Sequence, residues 1–227
     1  MLLSPKARLL FIGDSITDCG RRRPVGEGVE PGALGNGYVR LVHSAFWAGY
    51  PDYELEVLNL GVSGDTVHDL RARWDIDVLP QRPDWLSIFI GINDVWQQTS
   101  IREEAQATNG RDEFAATLGE LIARTRPMLS GLILMMPYYL QPDRSDPMRQ
   151  AMDVFGLAVQ GLAVRHAAVL VDTQAALDRV MAWVCPTDLA GDRVHVAQAG
   201  HFVLARAVLQ ALQFDWSRMP PERAQSG

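Results

Sequence analysis

A hydroxyl, an imidazole and a carboxylate stand in this chain where they could act together. The apolar run Leu9-Leu10-Phe11-Ile12 stops at Gly13-Asp14-Ser15, which puts the Ser15 hydroxyl where a buried strand ends. Open α/β sheets keep their ligands at that carboxyl edge. A serine so placed is a candidate nucleophile once a base, an orienting acid and an oxyanion hole are supplied. Near the opposite terminus stands Asp192-Arg193-Val194-His195. Residues three apart on a turn or helical start face the same side, so this carboxylate and imidazole can touch. An acid bonded to one ring nitrogen fixes the tautomer and leaves the other nitrogen free to take the serine proton. A surface Asp–His pair would read the same in isolation. Its place after the last strand and before a closing helix returns it to the sheet's carboxyl edge.

Two more strand ends could complete the chemistry. After Val57-Leu58-Asn59-Leu60 comes Gly61-Val62-Ser63-Gly64-Asp65-Thr66, whose glycines let a backbone N–H approach a ligand closely. After Ile88-Phe89-Ile90 comes Gly91-Ile92-Asn93-Asp94, which sets a side-chain amide at the same edge. A tetrahedral intermediate carries a negative oxygen that needs two or three preorganised donors. The Ser15 N–H, the Gly64 N–H and the Asn93 amide can supply them, although Asn93 could equally cap the next segment.

The elements that must position these groups follow from the hydrophobic pattern. Five apolar runs, at 8–12, 55–60, 85–90, 132–136 and 169–172, are short enough to be buried strands. Between them, Tyr38, Leu41, Val42, Ala45 and Phe46 share one helical face, as do Phe114, Leu118, Leu121 and Ile122. Met152, Phe155, Val159 and Leu162 form a third such face. The segment 199–212, which carries Phe202, Val203, Ala205, Leu209 and Leu212, is expected to be a closing helix. Strand–helix alternation with continuously apolar strands implies an α/β protein with a parallel sheet covered on both faces. Two long connections remain: a glycine-rich one at 17–36, expected to wall the site, and a polar one at 96–111. The reading is of a single domain over residues 1–227, with 217–227 a frayed tail or a subunit contact.

Bulk properties exclude other classes. A formal charge of −6 argues against nucleic acid and anionic membrane as partners. Arg21-Arg22-Arg23 is the one dense basic run and is expected to be a solvated loop. Cys19 and Cys185 are too few for a disulfide scaffold or a zinc site. Cys19 is read as packing near the nucleophile. No signal-like leader and no membrane-length apolar stretch is visible, so the expected setting is cytoplasmic. Asp14 and Asp18 invite comparison with phosphatases that attack through an aspartate, but that chemistry wants a second acid two residues on, and Ser15-Ile16 intervene. His43, His68 and His166 read as surface or packing residues, and His201 as structural. Trp96, Tyr138 and Tyr139 follow strands three and four, where aromatic planes suit a sugar ring or the core. Trp183, Phe214 and Trp216 are expected to pack the domain or a subunit contact, which favours a homo-oligomer.

Taken in order, the blocks Gly13-Asp14-Ser15, the Gly64 turn, Gly91-Ile92-Asn93-Asp94 and Asp192-Arg193-Val194-His195 resemble the SGNH hydrolases, also called GDSL esterases. The resemblance implies a three-layer flavodoxin-like fold with a five-stranded sheet in the order 2-1-3-4-5. It implies ester hydrolysis without metal or cofactor, with Ser15 as nucleophile, His195 as base and Asp192 as its orienter. Ser15, Gly64 and Asn93 would form the oxyanion hole. A narrower similarity, carried by Thr17-Asp18-Cys19-Gly20-Arg21, Gly35-Asn36-Gly37-Tyr38-Val39, Ile92-Asn93-Asp94-Val95-Trp96, Asp146-Pro147-Met148-Arg149 and Val171-Asp172-Thr173-Gln174-Ala175, is to the acetylxylan esterase branch. That branch implies an acetylated sugar as substrate. Two positions depart from it. Gly191 stands where an aromatic residue is expected before the acid, which implies a wider acyl pocket, and Val196 stands where proline commonly follows the histidine. The alternatives to weigh are a thioesterase or lysophospholipase and a carbohydrate-binding module without turnover. An imidazole base further implies activity that declines below about pH 6–7.

Overall fold

The computed structural model describes residues 1–100 and 104–222, and of residues 98–100 and 104–109 the backbone alone. Each of the apolar runs becomes a strand: β1 (Arg8–Gly13), β3 (Glu56–Asn59), β4 (Trp85–Phe89), β5 (Gly131–Met135) and β6 (Val169–Val171), with a short β2 (Gly26–Glu27) between the first two. The helices are α1 (Ser15–Asp18), α2 (Tyr38–Gly49), α3 (Val67–Asp77), α4 (Ile92–Ser100) and α5 (Glu104–Thr125), then α6 (Pro147–Arg165), α7 (Thr173–Met181), α8 (Pro186–Leu189) and α9 (Gln198–Ala211). One sheet runs β2-β3-β1-β4-β5-β6. All its neighbours are parallel except the β2–β3 pair. Helices flank it in two mutually packed groups, α2 with α7 and α9, and α3 with α5 and α6.

Register explains why the chemistry collects at one edge. Phe11 lies opposite Asn59, Gly13 opposite Phe89, Phe89 opposite Met135, and Met135 opposite Val171. The last residues of β1, β4, β5 and β6 are therefore level, β3 ends two residues short of them, and the turns that follow emerge at one edge. Continuous apolar strands are what this arrangement requires, and Leu9, Leu10, Phe11 and Ile12 are all fully buried. Trp74 of α3 is buried too, and its indole N–H donates to Thr125 Oγ1 at 2.9 Å, which ties α3 to α5.

Two expectations need correction. The sheet has six strands rather than five, because Gly26 and Glu27 pair antiparallel with Asn59 and Leu58. Two residues carry no periodicity to read, yet they cover backbone groups on the outer side of β3. The polar segment 96–111 is helical rather than a loop where it is described, since α4 runs to Ser100 and α5 begins at Glu104; residues 101–103 lie outside the described part. Residues such as Glu104, Ala105 and Gln106 are good helix formers, so low hydrophobicity there did not mean irregular backbone. In α9 the inward stripe is His201, Leu204, Ala205, Val208 and Leu209, while Phe202 is half exposed.

Candidate active site

Asp14 ends β1 in extended conformation, and its carboxylate accepts from the Ile16 N–H at 3.0 Å, so Ser15 opens the short α1. The Ser15 Oγ lies 2.8 Å from His195 Nε2, across 180 residues of sequence. His195 Nδ1 in turn lies 2.6 Å from Asp192 Oδ2. The second carboxylate oxygen accepts from the backbone N–H of Val194 at 3.0 Å and of His195 at 2.8 Å. Asp192 and His195 are thereby locked by the local turn, in which Arg193 adopts a left-handed φ of 65°. The partners assign the imidazole proton to Nδ1, facing the carboxylate, and leave Nε2 to accept from the serine. Burial pushes the Asp192 carboxyl up, but the His195 ring and the two amides outweigh it and hold it at about 2. Both side chains remain open to solvent, at 59% for His195 and 50% for Asp192. Such a chain of three groups can deprotonate a hydroxyl and stabilise the imidazolium that forms.

The loop that carries Asp192 and His195 is fixed from beneath. Tyr138, fully buried, donates its phenol O–H to Val194 O at 2.7 Å, and the Leu140 N–H donates to Arg193 O at 3.0 Å. Tyr138 therefore serves the loop rather than a sugar ring, whereas Trp96 keeps about half its surface exposed.

Gly64 lies on the turn that follows β3, and Asn93 in the first turn of α4, which follows β4. Gly64 has φ +90°, and a Cβ built there would meet nothing within 4 Å, so glycine is required by backbone conformation and not by space. The Asn93 amide donates to Asp65 O at 2.9 Å, which uses one of its two hydrogens and leaves the other. Asp94 beside it accepts from the Val67 N–H at the start of α3, at 3.1 Å. A capping box between Thr66 and Asp69 starts the same helix.

The sequence reading missed most of what braces this turn. Arg73 of α3 donates to Asp65 Oδ2 at 2.7 Å, Asp77 Oδ2 at 2.7 Å and Leu60 O at 2.9 Å. Asn59 donates to Thr17 O at 2.7 Å and accepts from the Gly61 N–H at 2.9 Å. Arg21 and Arg23 both donate to Gly61 O, at 2.8 and 2.9 Å. The basic run is a solvated loop only in part: Arg21 is buried against carbonyls, whereas Arg22, paired with Glu30, and Arg23, paired with Asp18, stay exposed as expected. No periodicity marks such contacts; the Thr66-x-x-Asp69 box alone has a sequence signature, and it too was passed over.

Several titratable groups crowd the buried side. Burial pushes Asp14 up to about 7, aided by the Asp94 and Asp65 carboxylates and opposed by the bond from Ile16. Burial likewise raises Asp94 to about 6. Cys19 is half buried, with its Sγ 3.4 Å from His201 Nε2, and burial pushes the thiol up to about 12. Burial lowers His201 to about 4, so it is a neutral packing partner of Cys19, as expected of a structural histidine. Among the described residues no group of three or more His, Cys, Asp or Glu could hold a metal ion, and no helix is long and apolar enough to cross a membrane.

A parallel sheet that delivers a serine, a glycine turn, an asparagine and an Asp–His pair to one edge has counterparts among known proteins. The profile of the GDSL-like lipase/acylhydrolase family matches residues 11–202, and the chain belongs to that family. It is 49% identical over 218 residues, 96% of this chain and 99% of the other, to an acetylxylan esterase of Geobacillus stearothermophilus. The crystal structure of that organism's acetylxylan esterase Axe2 superposes with a TM-score of 0.91 at 48% identity, covering 96% of this chain and 99% of Axe2. LAE5, an alpha/beta hydrolase enzyme from the metagenome of Lake Arreo, is 43% identical with a TM-score of 0.89, covering 94% of this chain and 98% of its own.

Proposed function

We propose that this protein is a serine esterase that hydrolyses small acyl esters, foremost O-acetyl groups on xylo-oligosaccharides or related carbohydrates, through an acyl-Ser15 intermediate. The observation that carries the reading is the unbroken chain from Ser15 Oγ to His195 at 2.8 Å and on to Asp192 at 2.6 Å. Ser15 attacks the ester carbonyl while His195 Nε2 takes its proton. The oxyanion is met by the N–H groups of Ser15 and Gly64 and by the Asn93 amide. Collapse expels the sugar alcohol, protonated by His195, and leaves acetyl-Ser15. Water activated by the same imidazole then releases acetate and restores the serine. The near-full-length likeness to an acetylxylan esterase supports the substrate class. Structures of Axe2 variants altered at its catalytic serine, aspartate and histidine superpose with TM-scores of 0.90–0.91, in keeping with these roles.

Gly191 favours a second substrate range. It is exposed, and a side chain begun there would meet nothing within 4 Å. The open space beside Asp192 suits acyl groups larger than acetyl, so thioesters or lysophospholipids are the competing substrates. Cytoplasmic residence and assembly into a homo-oligomer belong to the same reading, the latter supported by exposed Trp47, Trp183 and Trp216. Nucleic acid and membrane have no part in it. Ser15→Ala should lower turnover of p-nitrophenyl acetate by roughly 10⁶-fold and abolish labelling by a fluorophosphonate. Near-normal activity of purified Ser15→Ala protein would falsify the assignment. Acetate release from acetylated xylo-oligosaccharides, set against hydrolysis of octanoyl esters, decides the substrate: a preference for octanoyl moves the reading to the lipolytic alternative.

A further inference from the structure

One buried carboxylate joins the turn that carries Ser15 to the turn that carries Gly64, and the reaction as written gives it no part. Asp18 is the last residue of α1 and is almost wholly buried. Its Oδ2 accepts from the Ser63 N–H at 3.0 Å, the Ser63 hydroxyl at 2.9 Å and Arg23 Nη2 at 2.7 Å. Its Oδ1 is buried with no hydrogen-bond partner among the described residues. Burial pushes this carboxyl up, but the two Ser63 donors and the Arg23 guanidinium outweigh it and hold it below the ordinary carboxylate range. The two turns also touch through their backbones, because a Cβ at Gly61 would lie 2.3 Å from the Asp18 nitrogen.

Gly64 itself has little to hold it. It and Ser63 are exposed, and its φ of +90° comes with no neighbour within 4 Å of the Cβ position, so packing does not fix the direction of its N–H. The nearest constraints on it are the bonds at Ser63 on one side and at Asp65 on the other. An oxyanion hole acts only if its donors are already set at the distance the tetrahedral oxygen needs, since donors that must reorganise during reaction lose their advantage.

We propose that Asp18 is a positioning residue for the esterase reaction: by gripping both donors of Ser63 from the end of the Ser15 turn, it sets the Gly64 N–H relative to the Ser15 N–H. The proposal rests on the serine-esterase reading above. Asp18 touches no reacting atom and acts only through Ser63. Its unpartnered Oδ1 costs solvation that one oxygen bearing three donors offsets, an arrangement hard to explain for a mere helix end.

The test compares Asp18→Ala, Asp18→Asn and Ser63→Ala on an aryl acetate and its thionoester, in which sulfur replaces the carbonyl oxygen. Sulfur is larger and a weaker acceptor, so a well-set oxyanion hole prefers the oxygen ester, and a displaced one loses that preference. Asp18→Ala should lower kcat roughly 10–10²-fold, the scale expected of a misplacement of about an ångström, with KM within about threefold. The oxygen-over-sulfur ratio should fall by a similar factor. Asp18→Asn, whose carbonyl can still accept from Ser63, should recover to within about fivefold of wild type, and Ser63→Ala should lose about threefold in both kcat and the ratio. A wild-type ratio in folded Asp18→Ala overturns the proposal even if kcat drops, because that is the mark of a purely structural role. If Asp18→Ala does not fold, an unchanged ratio in Ser63→Ala overturns it instead. Ser15→Ala is the control: if it is active, the esterase reading fails, whereas an inert Ser15→Ala beside an unchanged Asp18→Ala ratio sinks this proposal alone.

Discussion

The 61–66 turn and the 190–195 loop each bring groups to the same edge of the sheet, and they are held in different ways. The first is gripped by charged and amide side chains from several elements: Asp18 of α1, Asn59 of β3, Arg73 of α3, and Asn93 and Asp94 of α4. The second is held by its own backbone bonds, one phenol and one amide from the segment after β5, and its Asp192 and His195 side chains are half exposed. The contrast follows the chemistry assigned to each. Oxyanion donors must not move as charge develops, so they profit from a rigid, dry support. An acid–base pair must accept and return a proton in each half-reaction and must admit water, so contact with solvent serves it.

The comparison can be broken first on the wet side. Asp192→Asn keeps the shape of the loop but inverts what faces His195 Nδ1, and turnover should fall by roughly 10⁴-fold. Steady-state kinetics on p-nitrophenyl acetate measures it; a loss under tenfold would mean that Asp192 does not hold the imidazole tautomer. On the dry side, Asn93→Ala removes one donor of a group and should cost roughly 10²–10³ in kcat with little change in KM. A change confined to KM would place Asn93 in substrate binding and dissolve the contrast between the two sides. Tyr138→Phe tests the weaker scaffold of the loop. It strips the buried Val194 carbonyl of its partner, so the protein should lose about 1–2 kcal/mol in denaturant unfolding, with turnover falling only severalfold. A turnover loss as large as that of Asn93→Ala would show that the loop is held as stringently as the turn.

How much of this was readable in one dimension divides along the same line. The candidate groups stood out because each is bound to a local signal: Ser15 to the end of an apolar run, Gly64 and Asn93 to glycine-bearing strand ends, and Asp192 to His195 by a spacing of three; the structure brings Ser15, His195 and Asp192 into contact. The parallel sheet followed from five apolar runs for the same reason. The supports did not announce themselves. Arg73, Asn59 and Asp18 reach across the fold to partners distant in sequence, and nothing in their own neighbourhood distinguishes them from ordinary polar residues. Arg21 was misread because a run of like charges normally seeks water, and here carbonyls replace it. Strand β2 escaped because two residues have no period.

The last effect leaves turnover aside and is read in stability, and it sets an acid from each side against the other. Asp192, held at about 2, contributes stability that is present above the ordinary carboxyl value and lost as pH falls through its folded value. Asp14 does the reverse. Its ordinary value is 3.8 and burial raises it to about 7, so between those values the folded chain keeps a proton that the unfolded chain has released. Stability therefore falls as pH rises through that window, and the penalty is complete above it. Asp14→Asn keeps a carbonyl oxygen to accept from the Ile16 N–H but has no charge to bury. The melting temperature of the variant minus that of the wild type should climb between about pH 4 and pH 7 and then level off. The rise should be about 4 kcal/mol, or roughly 8–16 °C for a chain of this size. A difference that stays flat across the window would mean that Asp14 titrates like a solvated carboxylate. The nucleophile side would then be no drier than the loop that faces it.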